Sequence, residues 1–162
     1  MNSVSLGKSR PMWQVVLLSG VTGLLYYGWY KWVIQDELKT YLGKGWSGAL
    51  CLVPFVLGVA VPQLLWRLDP DVPPVFGWLS LLGIVWIYIV QFRLYRTVNQ
   101  LFREVGQVAP LRVWWLFVPG LNLVVGLRQI HFLSQYWGLQ HGQKVEPDPL
   151  AESLPFLFSE KM

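Results

Sequence analysis

The sequence predicts an all-α integral membrane protein of four transmembrane helices, arranged as two tandem helical hairpins with amphipathic extensions after helices 1 and 3. Three observations carry that expectation. Four apolar stretches, Met12 to Trp32, Trp46 to Trp66, Val75 to Phe92 and Val113 to Leu133, are each about long enough to cross a bilayer as a helix. The chain of 162 residues is 54% hydrophobic and 15% aromatic with only 14% charged residues, well away from soluble-domain averages. The two halves also correspond in order: Pro11, Trp13, Leu18, Gly20, Leu38 and Gly43 recur as Pro74, Phe76, Leu81, Gly83, Leu101 and Gly106, the pattern of a duplicated unit.

Helix 1 starts at Pro11, where a missing N–H costs nothing, with Trp13 at the level of a membrane interface. A second aromatic belt, Tyr26, Tyr27, Trp29, Tyr30 and Trp32, closes it, and Lys31 extends its ammonium toward water. Beyond the belt, Ile34, Leu38, Tyr41 and Leu42 recur at helical spacing opposite Asp36, Glu37 and Lys39, and Gly43 is the expected C-cap. Helix 3 repeats the plan: Leu94, Val98, Leu101, Phe102 and Val105 form an apolar stripe, Arg93, Arg96, Gln100 and Arg103 a polar one, and Gly106 ends it. The return helices match through Val53, Pro54, Val59 and Leu68 against Val118, Pro119, Val124 and Leu133. Pro54 and Pro119 are the expected kinks, because each lacks a backbone donor inside a helix.

These elements make residues 1–140 a single membrane domain, divisible into repeats 8–70 and 71–140, followed by a flexible tail over 141–162 with an apolar cluster at Leu154 to Phe158. Two crossings per repeat would put both termini on one side, opposite loops one and three. Those loops carry Lys31, Lys39 and Lys44, and Arg93, Arg96, Arg103 and Arg112, so they are expected in the cytoplasm, although Lys8 and Arg10 pull the other way. A prokaryotic inner or thylakoid-type membrane is the expected location.

The chemical inventory is sparse. The net charge of +4 resides beside apolar segments, which fits lipid headgroups rather than nucleic acid. Cys51 is the only cysteine, and His131 and His141 are the only histidines. Ten positions apart on a continuous helix, the histidines would stand about 15 Å from each other, too far to share an ion. Ser47 and Ser134 lack the context of an activated nucleophile. No catalytic, cofactor or metal site is expected. Arg93, Arg96 and Arg103 are candidate contacts for anionic lipid, each worth about 1 kcal/mol near a charged surface. Gln63, Asn122 and Gln129 are the candidate polar groups at membrane depth.

The stretch VVLLSGVTGLLYYGWYKWVIQDELKTYLGKG, followed by an apolar return helix, resembles the small bacterial membrane module catalogued as domain of unknown function 4234. Thr22, Gly23, Tyr26, Trp29 and Tyr30 carry the resemblance, while Leu25 stands where that family often has Tyr. It implies a bacterial membrane module and no particular activity. The expected role is therefore a nonenzymatic accessory, assembly or scaffold subunit of a membrane complex, whose partners are the bilayer and a membrane protein or further copies of itself. The rival is a small oligomeric transporter or channel, its pathway shaped by Gln63, Asn122, Gln129 and the kinks at Pro54 and Pro119.

Overall fold

A computed structural model describes residues 7–23, 25–69, 71 and 73–144, so most of the expected tail, residues 145–162, lies outside the described residues. The described chain is all-helical: α1 (Met12–Val21), α2 (Leu25–Leu42), α3 (Gly48–Phe55), a π-helical segment (Val56–Ala60), α4 (Val61–Leu68), α5 (Val75–Glu104), a 3-10 turn (Val113–Phe117) and α6 (Leu121–Gln140).

The first apolar stretch is not one helix. Thr22 closes α1 by donating from Oγ1 to Leu18 O at 2.7 Å, and the same hydroxyl accepts from Tyr26 N at 3.0 Å to open α2. Gly23 turns between them at φ +58°, a conformation costly for a residue with a Cβ. The chain then runs back on itself. Arg10, before α1, makes a bidentate pair with Glu37 of α2 at 2.7 and 3.0 Å across a separation of 27 residues, which a continuous helix would hold about 40 Å apart. α1 and α2 are thus an antiparallel hairpin with apolar residues at its tip, Val21 and Leu25 each being 79% exposed.

The fourth stretch folds back in the same manner. Pro119 lies in the turn between the 3-10 segment and α6, with Gly120 at φ +83°, and does not kink a helix. Arg128 Nη2 donates to Pro110 O at 2.9 Å across 18 residues, so the strand of chain entering the turn runs beside the helix leaving it. Trp114, Phe117 and Leu123 are exposed toward this second tip. The expectation of four continuous apolar helices is therefore not met.

Among the described residues two helices are long and apolar enough to cross a membrane: Gly48–Leu68, whose most apolar stretch has a mean hydropathy of 2.1, and Val75–Glu104, where it is 1.9. They form an antiparallel pair. Gly58 meets Gly83 so closely that a Cβ on Gly58 would stand 2.8 Å from Gly83 Cα. Further along, Trp46 and Trp86 stack with ring centroids 5.1 Å apart. Pro54 does lie inside this helix, and its absent N–H frees the Leu50 carbonyl, which Trp86 Nε1 supplies at 3.2 Å. The backbone then widens into the π segment, where Val61 N–H bonds Val56 O, and Pro62 follows; π segments are a recognised way to accommodate such insertions.

Both amphipathic extensions appear where the stripes place them, except that Val105, the last residue of the second stripe, follows the end of α5 and is 41% exposed. Ile34 and Leu38 of α2, and Leu94, Val98, Leu101 and Phe102 of α5, are 0–4% exposed and form the core with Ile130, Phe132, Leu133, Tyr136 and Trp137 of α6. Gly43 and Gly106 end α2 and α5 at positive φ, and Gln107 N–H reaches back to Phe102 O at 2.9 Å in a Schellman-type cap. Ser47 and Asp36 cap α3 through Leu50 N and Gly48 N. Asn99 of α5 holds the chain before the 3-10 turn, donating to Leu111 O at 2.7 Å and accepting from Leu111 N at 2.9 Å.

All of this gathers at one end of the molecule. Ser9 Oγ lies 2.9 Å from Ser134 Oγ, and the Tyr41 and Tyr136 hydroxyls are 3.0 Å apart. The beginning of the described chain, the Gly43 and Gly106 turns and the end of α6 thus share this head, while the end of α4 and the start of α5, at Leu68 and Val75, lie at the opposite end of the long pair. Both ends of the described chain stand with loops one and three, not opposite them. The aligned halves also take different shapes, since Pro11 to Gly43 folds into a hairpin whereas Pro74 to Gly106 is dominated by the single 30-residue α5.

Candidate functional site

The first turns of α2 point aromatic rings inward because the hairpin must bury one face of its belt against α5 and α6. That packing carries Lys31 inside with them. Lys31 is 5% exposed and Gln129 is fully enclosed. Lys31 Nζ donates to Gln129 Oε1 at 2.5 Å and to Gln91 Oε1 at 3.1 Å, and the Tyr27 ring centroid is 5.2 Å away. Every one of these partners is neutral, and no carboxylate pairs with Lys31 among the described residues. Gln129 Nε2, turned toward the Tyr30 hydroxyl, makes no hydrogen bond of ordinary geometry. The cage therefore holds a lysine amine without a counter-charge, and its ammonium form is costly there unless an anion or water compensates it.

Against the cage lies a cavity of about 510 Å³ bounded by α1, α2, α5, the 3-10 turn and α6. Tyr27 and Gln91 belong to both, separating Lys31 from the open space. Ser19, Tyr88, Tyr95 and Asn122 add polar groups to a wall that is mostly apolar, with Ile87, Leu127 and Ile130 among its members. Its rim includes Val16 and Leu123, which are 47% and 67% exposed.

The predicted polar trio is divided. Gln129 belongs to the cage, Asn122 lines the cavity from the first turn of α6 rather than from mid-helix, and Gln63 is exposed on α4, away from both. Arg93, Arg96 and Arg103 are exposed along α5. Arg93 stacks its guanidinium 3.8 Å over the Trp46 ring, and Arg96 lies 5.8 Å from the centroid of Phe92. Arg10 is charged in its pair with Glu37: burial works against the guanidinium, but the carboxylate's hydrogen bonds and charge carry its pKa above the ordinary value. The serines have structural work, Ser47 as a cap and Ser134 as a tether to Ser9. Among the described residues no cluster of His, Cys, Asp or Glu could hold a metal ion.

A second, open groove of about 990 Å³ runs between α2 and the α3–π segment, with Trp29, Trp32 and Val33 facing Leu52, Val53 and Val56. Its acidic residues are already engaged, Asp36 with Gly48 N and Glu37 with Arg10. Sequence reasoning missed the Lys31 cage, whose only local sign is a lysine inside an aromatic belt. Comparison with known proteins adds no precedent for either site: no protein-family model, curated protein or solved structure matches the chain.

Proposed function

We propose that the chain is an integral membrane protein with two crossings and two re-entrant hairpins, acting as a nonenzymatic accessory, assembly or scaffold subunit of a membrane complex. The supporting observation is where apolar surface remains uncovered. Only 22% and 17% of the most apolar windows of the two long helices are buried within the chain, whereas helices of that hydropathy in a soluble core would be mostly enclosed. Lipid and partner helices are the surroundings such faces fit.

Depth follows from length. α1 has ten residues and rises about 15 Å, half of a hydrocarbon core about 30 Å thick, so its hairpin enters and leaves from the head side. α5, with 30 residues, rises about 45 Å and carries its arginines out into the head. Lys8, Arg10, Lys39, Lys44, Arg93, Arg96, Arg103, Arg112 and Lys144 then all lie on that side, against Arg67 beside Asp69 and Asp71 on the other. The positive-inside rule makes the head cytoplasmic. The re-entrant arrangement also removes the conflict that Lys8 and Arg10 posed for four crossings.

A subunit role is favoured over transport because the polar groups are consumed locally: Gln129 and Gln91 hold Lys31, Asn99 holds Leu111, and Gln63 and Asn122 share no cavity. The test is flotation with lipid after alkaline extraction, followed by reconstitution into sealed vesicles. The protein should float and the vesicles should stay tight to ions and small solutes. A soluble, extractable chain would overturn the membrane reading, and a protein-dependent flux abolished by Asn122→Leu would install the transport reading instead.

A further inference from the structure

The cavity beside the Lys31 cage is the feature that a purely structural subunit leaves unexplained. Its lining is mostly apolar and includes exposed Val16 and Leu123, while Tyr27 and Gln91 join it to the Lys31 cage. Behind Tyr27 and Gln91 is the 5%-exposed amine of Lys31, whose partners are two amide oxygens and a ring face. We propose that this cavity binds a single-chain anionic amphiphile, its acyl tail in the apolar chamber and its carboxylate or phosphate at Gln91, in the field of Lys31.

The chemistry of each end supports that occupant. About 510 Å³ falls within the range of roughly 300–1,000 Å³ in which proteins hold small molecules. A water-soluble ligand would meet exposed Val16 and Leu123, whereas a lipid chain finds there the surroundings it already has. Gln91 Oε1 accepts from Lys31, which polarises the amide and strengthens its N–H groups as donors. A headgroup accepting from them would supply the negative charge that the cage lacks, in a medium where that attraction is little screened. A neutral amphiphile would gain the tail contacts and nothing at Lys31.

The inference rests on the membrane reading, and the two fail separately. The protein, reconstituted in nanodiscs of zwitterionic lipid, is titrated with brominated palmitate, brominated lysophosphatidic acid and the brominated palmityl alcohol, and tryptophan quenching is recorded. An acid should bind roughly tenfold or more tightly than the alcohol, the difference expected of a charge-assisted hydrogen bond. Lys31→Gln should erase that preference, lowering the affinity for both acids to that for the alcohol. Gly126 lines the chamber, and a Cβ there meets only Tyr95 Oη at 3.5 Å, so Gly126→Leu should fill it and abolish quenching by all three probes. Tighter binding of palmitate supports a free fatty acid as the natural source, and tighter binding of the lysolipid supports a phospholipid. Equal affinity for acid and alcohol, or unchanged binding in Gly126→Leu with its unfolding temperature preserved, would overturn the proposal. Failure of the chain to enter nanodiscs would instead refute the membrane reading.

Discussion

Replacing Arg10 and Glu37 by cysteine in a Cys51→Ala background tests the feature on which the architecture turns, the reversal at Thr22–Gly23. In one uninterrupted helix the two positions would stand about 40 Å apart; here their side chains are in bidentate contact at 2.7 and 3.0 Å. Cys51 is 1% exposed within α3, and trimming its thiol to alanine leaves the hairpin untouched. A short bis-thiol reagent, reaching a small fraction of 40 Å, should therefore link Arg10→Cys to Glu37→Cys efficiently and leave an Arg10→Cys, Asp71→Cys control unlinked. The pair should also carry measurable stability. Its side chains are only 10% and 19% exposed, so the coupling in an Arg10→Ala, Glu37→Ala cycle should reach about 1–3 kcal/mol, above the 0.2–1 kcal/mol of exposed pairs. Linking no better than the control, together with additive single-mutant effects, would refute the hairpin.

Asn99→Leu should destabilise the head by roughly 2–4 kcal/mol in thermal or denaturant unfolding, because it strands the buried Leu111 N–H and C=O that Asn99 satisfies; a loss below about 1 kcal/mol would mean that water replaces the amide without cost. Gly58→Ala should loosen the long pair, since its Cβ would meet Gly83 Cα and Leu79 O, both at 2.8 Å, and these are backbone atoms that cannot swing aside. Cross-linking between Trp66→Cys and Gly77→Cys would read the separation, and an unchanged yield would show that the crossing does not depend on close approach.

The parts of the fold legible in the sequence are those written as local periodicity. The stripes of α2 and α5 are spaced for one helix face, and Gly43 and Gly106 carry the positive φ that a C-cap needs. The reversals were not legible because a window of mean hydropathy averages across them: an apolar run of helical length reads alike whether straight or folded. The signals were present as Thr22–Gly23 and Pro119–Gly120, a hydroxyl able to cap two helices and a turn dipeptide, yet Pro119 read as a kink because its flanks are apolar. Pro54 was legible as a perturbation, but that Trp86 would supply the freed carbonyl depends on a partner 36 positions away. The Lys31 cage is less local still, its amides lying 60 and 98 positions from the lysine. Read alone, Lys31 is a side chain extending to water; only the packing of α5 and α6 against the hairpin turns it inward.

Sidedness is where sequence and structure make opposite predictions from the same charges. Four crossings separate Lys8 and Arg10 from loops one and three, whereas two crossings with re-entrant hairpins collect them all. Cysteines placed at Gly45, Gln107 and Lys8 should thus be labelled from one side of sealed vesicles, and one at Leu68 from the other. The orientation itself depends on the count of nearby Lys and Arg, to which Asp and Glu add little. Among the described residues that count is nine, the residues Lys8, Arg10, Lys39, Lys44, Arg93, Arg96, Arg103, Arg112 and Lys144, against Arg67 alone. Asp69→Lys with Asp71→Lys makes it nine against three, and adding Arg93, Arg96 and Arg103→Gln makes it six against three. Each removed arginine also gives up about 1 kcal/mol of attraction to an anionic leaflet. The first variant should keep the native orientation, and the combined variant should insert both ways. Labelling of Lys8→Cys from the side opposite Gly45→Cys would return the first stretch to a full crossing, and uniform native orientation in the combined variant would show that packing of the head, not its charge, decides which way the chain inserts.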